Sequence, residues 1–176
     1  MRKVILSLCM AAIATAGYAQ VFGSDVTATT SKPDVFGRTT TTYTDRSGRV
    51  VGTSVSEKPD VFGRTKTTYR DASGRTTATS TTEKPDIFGR SHTTYNSSDG
   101  SRLGTSTKEK EDVFGRTKTT YRDASGNKTE EATTEKADMF GRKKTTYRDA
   151  SGNTTGTATQ EKPDVFGNQR STYRKR

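Results

Sequence analysis

The sequence predicts an all-β fold: tandem 26-residue β-hairpin repeats forming an elongated antiparallel meander or a β-solenoid-like sheet, with disorder as the alternative. Three observations carry that prediction. The tetrad Asp-x-Phe-Gly begins at Asp34, Asp60, Asp86, Asp112, Asp138 and Asp164, a strict 26-residue beat of the kind that marks a repeat architecture. Two glycine-closed turn sequences divide each copy. The stretches between them are rich in β-branched threonine, hold no proline and lack the apolar spacing of a helix.

Taken in order, residues 1–19 have the makeup of a secretory signal. Met1, Arg2 and Lys3 precede an apolar run from Val4 to Ala16, and Gly17 and Ala19, on either side of Tyr18, supply the small residues before an expected cleavage after Ala19. The run is too short for a membrane-spanning stop-transfer helix, so no transmembrane segment is expected after cleavage. It also contains the single cysteine, Cys9, so the processed chain would carry no disulfide. Residues 20–33 form a partial copy: Val21, Phe22 and Gly23 echo the turn, and Thr27 to Pro33 align with Thr53 to Pro59. Residues 34–176 hold five full units and a truncated sixth, starting at 34, 60, 86, 112, 138 and 164.

Each unit has two punctuation marks of the same chemistry. The first is Lys58-Pro-Asp-Val-Phe-Gly-Arg64 and the second Arg70-Asp-Ala-Ser-Gly74. Aspartate suits the first position of a type I turn, where its carboxylate caps backbone N–H groups, and glycine takes the left-handed position that closes it. Asp60, Gly63, Gly74, Asp86, Gly89, Asp112, Gly115 and Gly126 are therefore predicted structural turn residues. Between the marks, 64–70 and 75–84 are predicted strands. Alternation puts Thr65, Thr67 and Tyr69 on one face and Arg64, Lys66, Thr68 and Arg70 on the other. One unit has too little apolar surface to fold alone, so stability must come from stacked units. The phenylalanines, Phe36 to Phe166, are expected to stack along one edge.

The composition excludes a conventional deep core: 27% of residues are hydrophobic and the mean hydropathy is −0.94. The formal charge is +10, falling to +8 once Arg2 and Lys3 leave with the signal. No nucleophile with a base and no cysteine–histidine cluster is present, so no enzyme activity, small-molecule substrate or cofactor is expected. His92, the single histidine, occupies a column otherwise held by Lys66, Lys118, Lys144 and Arg170 and reads as a surface substitution. The turn aspartates supply one carboxylate each, too few oxygens for calcium. A lipid-spanning barrel needs a continuous apolar band that neither strand face provides. The basic face is the candidate contact surface: Lys66, Arg70, Lys118, Arg122, Lys144 and Arg148, with Tyr69, Tyr121 and Tyr147 one position away, recur every ~10 Å along a sheet and suit an acidic polysaccharide or other polyanion.

The run Tyr69-Arg-Asp-Ala-Ser-Gly-Arg75 resembles the Tyr-Asp repeats of bacterial shell-forming toxins, which also use Asp-x-x-Gly-Arg turns between strands. The resemblance covers about seven of every 26 residues and implies a similar hairpin module. Here the tyrosine is separated from the aspartate and the leucines after the turn are missing. In layout the chain also looks like curli-type amyloid subunits, without their glutamine and asparagine ladders. The sequence thus leads to an exported, non-enzymatic structural or adhesive repeat protein of the envelope or extracellular space. The alternatives are a fibre-forming subunit that adds to itself through open sheet edges and a polyanion-binding module.

Overall fold

The threonine-rich segments become twelve antiparallel strands in the computed structural model, which describes residues 25–176; the predicted signal lies outside the described residues. They are β1 (Val26–Thr30), β2 (Thr39–Thr44), β3 (Val50–Ser56), β4 (Thr65–Asp71), β5 (Thr76–Thr82), β6 (Ser91–Ser97), β7 (Arg102–Lys108), β8 (Thr117–Asp123), β9 (Lys128–Thr134), β10 (Lys143–Asp149), β11 (Thr154–Gln160) and β12 (Gln169–Lys175). No helix occurs among the described residues.

Both punctuation marks are hairpin turns of one geometry. At the first, Gly63 N–H donates to the Asp60 carbonyl (2.9 Å) and Asp60 N–H to the Arg64 carbonyl (2.9 Å). Asp60 Oδ1 accepts the N–H groups of Phe62 and Arg64, both at 2.9 Å. Gly63 sits at φ 78° and Gly74, in the second mark, at φ 82°, the left-handed conformation that a side chain penalises.

The sheet closes on itself. Each strand pairs with its sequence neighbours and β1 pairs with β12, giving a twelve-stranded barrel rather than the open meander or solenoid-like sheet predicted from sequence. The terminal fragments explain the closure. The truncated sixth copy lacks a second strand, and the partial first copy supplies it: Val26 lies opposite Tyr173 and Ala28 opposite Ser171. Asp25 fastens this seam, accepting Lys175 N–H at 3.2 Å and pairing with Arg46 at 2.8 Å.

Register repeats from unit to unit. Thr41 pairs with Ser54 and Ser54 with Tyr69, two residues beyond the counterpart of Thr41, so the stagger accumulated over six units equals the number of strands. That match of strand number and stagger sets a uniform tilt and a pseudo-sixfold axis. With strands ~4.8 Å apart, the barrel is roughly 20 Å across its backbone.

The axis gathers equivalent side chains into layers. Tyr43, Tyr69, Tyr95, Tyr121, Tyr147 and Tyr173 point inward and are only 0–2% exposed. Opposite them stand small residues in most units, Gly52, Ala78, Gly104 and Gly156, which leave room for the rings. Tyr147 and Tyr173 meet edge to face with centroids 5.5 Å apart. The phenylalanines are not part of this core. They are 64–72% exposed at the turns, and the guanidinium of Arg64 lies 5.0 Å from the Phe62 ring centre, an arrangement repeated at Phe36, Phe88, Phe114 and Phe140. The reason is closure: a turn residue sits beyond the barrel wall, whereas the tyrosine lies mid-strand on the inner face.

Candidate functional site

Barrel closure sorts the alternating strand residues into wall and lumen. On β4, β8 and β10 the outward positions are Lys66, Thr68 and Arg70; Lys118, Thr120 and Arg122; and Lys144, Thr146 and Arg148. On β12 they are Arg170, Thr172 and Arg174. All these lysines and arginines are exposed. The strands between them present mainly threonine, as at Thr157 and Thr159 of β11.

The charge is not spread evenly around the pseudo-sixfold frame. From β8 to β12 the wall carries Lys118, Arg122, Lys144, Arg148, Arg170 and Arg174, whereas β2 presents Thr40, Thr42 and Thr44 and β6 presents His92, Thr94 and Asn96. One acidic side chain interrupts the basic sector. Glu131 on β9 pairs with Lys128 at 2.8 Å and Lys118 at 3.0 Å, and the bond from Lys128, with that from Lys118 in support, holds its carboxyl below the usual range against partial burial. The arginines at the far rim are positioned: Arg70, Arg122 and Arg148 donate through Nη1 to the carbonyls of Gly74, Gly126 and Gly152 at 3.0–3.1 Å. His92 is exposed, its Nδ1 3.2 Å from Thr107 Oγ1.

The tyrosines of the predicted contact surface are elsewhere. Tyr69, Tyr121 and Tyr147 belong to the buried inner layer, so the basic sector of the outer face is threonine and base without tyrosine rings. A closed sheet has one inner face to fill, and tyrosine is the one bulky side chain that alternation offers to it in every unit.

Between the tyrosine layer and the Asp-x-Phe-Gly rim the lumen is lined by hydroxyls. A cavity of about 360 Å³ is bounded by Thr41, Tyr43, Ser54, Ser56, Thr67 and Tyr69 among others. Its polar groups are bonded to one another: Tyr43 with Ser54 at 2.9 Å, Tyr95 with Ser106 at 3.1 Å, Ser56 with Thr67 at 2.7 Å and Thr82 with Thr93 at 2.9 Å. Two cations, Lys108 and Lys143, replace hydroxyl or amide residues near this mouth. At the level of the tyrosines, Glu130 occupies the small-residue column, 3% exposed, and accepts from Thr155 Oγ1 at 3.1 Å. Burial, with the charges of Glu130 and Asp25 adding to it, pushes the Tyr173 phenol up to about 12.

Among the described residues no group of three or more His, Cys, Asp or Glu side chains is arranged to hold a metal ion. No protein family, curated protein or solved structure matches this chain. The reading of its function therefore rests on the geometry of the barrel.

Sequence reasoning placed the cations on one strand face, and that face is the outer wall. It missed that the cations of the fourth, fifth and sixth units form one continuous sector of a cylinder, with Lys66 and Arg70 of β4 across from it, which needs knowledge of closure. The signal was present in the unequal copies: lysine and arginine flank the tyrosine in the second, fourth and fifth units, while the first has threonine there.

Proposed function

We propose that this chain is an exported, non-enzymatic scaffold of the envelope or extracellular space that adheres to an acidic polymer through the basic sector of its barrel wall. The observation that carries the reading is the run of six exposed cations from β8 to β12 against the single carboxylate of Glu131. Equivalent charges on alternate strands recur every ~10 Å, and Lys118 and Arg122, four residues apart along one strand, are separated by ~13 Å. A flexible polyanion can engage several of these points at once, so that individually weak contacts sum.

Barrel closure also bears on the alternatives. A fibre-forming subunit would need an unpaired strand edge, and both potential edges, β1 and β12, are paired to each other. The lumen is a weaker candidate, because its hydroxyls already bond among themselves.

The test is binding of the purified protein to an acidic polysaccharide such as polygalacturonate or heparin, with dextran as the neutral control, across a salt series. Affinity is expected to fall log-linearly with salt. The combined substitution Lys118→Gln/Arg122→Gln/Lys144→Gln/Arg148→Gln is expected to abolish binding with the far-ultraviolet spectrum unchanged. Binding to dextran as strong as to the acidic polymer, or binding indifferent to the quadruple substitution, would sink the proposal.

A further inference from the structure

The two rims of the barrel use the same turn and decorate it differently. At one rim the two central turn positions hold small or polar residues such as Ala72 and Ser73, or Ala150 and Ser151. At the other they hold an aliphatic residue and a phenylalanine in all six units, with Val35, Val61, Ile87, Val113, Met139 and Val165 at 91–94% exposure. Turn geometry does not demand this, since these positions of a type I turn accept most residues. Nor does the core, which the tyrosines fill. Twelve exposed apolar side chains on one rim exceed what a soluble surface carries without use.

We infer that this apolar crown docks the barrel upright on a lipid bilayer surface. Pseudo-sixfold symmetry sets all six tips at one height, so they can enter a planar boundary together, each tip ~10 Å from the next around the ring. The concave spaces at this rim, in the lumen mouth and beside Lys136, are lined mainly by polar side chains and take in no tip residue. The crown is therefore a set of protruding fingers, suited to insertion between headgroups and unsuited to gripping a helix or peptide.

The charges follow the same order. Within a typical loop they cancel: Glu57 accompanies Lys58, and Asp60 pairs with Arg64 at 2.9 Å. The lysine stem of each unit lies over the turn of its neighbour; Lys84 Cβ is 3.2 Å from where a side chain on Gly63 would begin. An apolar lysine stem laid along the finger suits a snorkelling lysine at a membrane interface. Just behind the fingers the outer wall carries a basic collar, Lys66, Lys118, Lys144 and Arg170, at the level where Glu57 N–H meets the Lys66 carbonyl. Apolar tips backed by cations complement an anionic headgroup layer. Two copies docked crown to crown would bring collar against collar, like charge to like.

Vesicle flotation tests the inference, using phosphatidylcholine vesicles with and without phosphatidylglycerol, at low salt and at about 1 M salt, where the Debye length is about 3 Å. The protein is expected to float with both vesicle types, more strongly with the anionic ones, and to remain bound at high salt because the tips are apolar. Replacing four tips, Val61→Asp/Ile87→Asp/Val113→Asp/Met139→Asp, is expected to lower the bound fraction at least about tenfold. These side chains touch little, so the strand spectrum and melting of this variant should match the parent. The variant should also keep its affinity for acidic polysaccharide, which separates failure of the crown reading from failure of the wall reading. Complete release of the parent by salt would overturn the inference, as would equal flotation of the variant. A salt-resistant dimer dispersed by the same substitutions, with no vesicle binding, would assign the crown to a second copy instead.

Discussion

Replacing Tyr95 by alanine should unfold this barrel more readily than replacing Phe88, although phenylalanine is the more apolar side chain. Tyr95 is fully buried in the ring layer, and its hydroxyl is bonded to Ser106 Oγ at 3.1 Å. Truncating a buried aromatic to alanine costs about 3–5 kcal/mol, through lost transfer energy and the cavity left behind. The hydroxyl bond accounts for about 1 kcal/mol of that, which Tyr95→Phe would isolate. A domain of this size is stable by about 5–15 kcal/mol, so the truncation removes a large share. Phe88, mostly exposed beside Arg90, stands to lose little more than a ring–cation contact, about 0.5 kcal/mol. The assay is urea unfolding followed by far-ultraviolet circular dichroism, with equal m-values required before midpoints are compared. If Tyr95→Ala lay within about 1 kcal/mol of Phe88→Ala, the inner tyrosine layer would not be the core and the assignment of faces would fail.

Four further outcomes follow from the same architecture. Gly74→Ala meets open space yet forces a side chain onto φ 82°, so a loss of about 1–2 kcal/mol in chemical denaturation is expected from the backbone alone; an unchanged midpoint would contradict the turn geometry. Gly104→Ala has no positive φ, but its new carbon would collide with the Arg122 carbonyl of the adjacent strand, so it should destabilise by shifting β7 from β8, measurable as faster amide exchange there. The turn carboxylates are held below their ordinary range, Asp60 first by the Arg64 N–H and Asp71, to about 2, first by the Ser73 hydroxyl. Depressed native values contribute stability that is present above the unfolded-chain value of ~3.9 and lost as pH falls through the native ones. The thermal midpoint should therefore hold steady above about pH 5 and decline from about pH 4 towards about pH 2; a midpoint unchanged at the acid end would refute the capping role. Deleting residues 25–31 removes β1 and frees the edges of β2 and β12, so light scattering should reveal concentration-dependent association that the intact chain lacks.

Much of the local structure is legible in the sequence. The Asp-x-x-Gly marks announced two chain reversals per unit because only a left-handed glycine closes that turn, and the threonine stretches between them read as strands. Alternation grouped Thr65, Thr67 and Tyr69 apart from Lys66, Thr68 and Arg70, and the barrel keeps that division between lumen and wall. These are properties of a few neighbouring residues, so one copy of the repeat suffices to state them.

Which face is inside, and whether the sheet has an inside, is not a local property. Phe62 is the most apolar bulky residue of its unit and is expected from sequence to stack with its equivalents along one edge, yet its place in a turn leaves it exposed beyond the wall once the sheet closes. Tyr69, expected at a contact surface, became core because closure gave its face a lumen to fill. By itself the sequence determined two strands per unit, their turns and the separation of basic from hydroxyl-bearing faces. Only the tertiary structure decided that the orphan strand Val26–Thr30 completes the truncated last unit. That pairing depends on a stagger summed over all six units, and the two ends meet only when the total matches the number of strands.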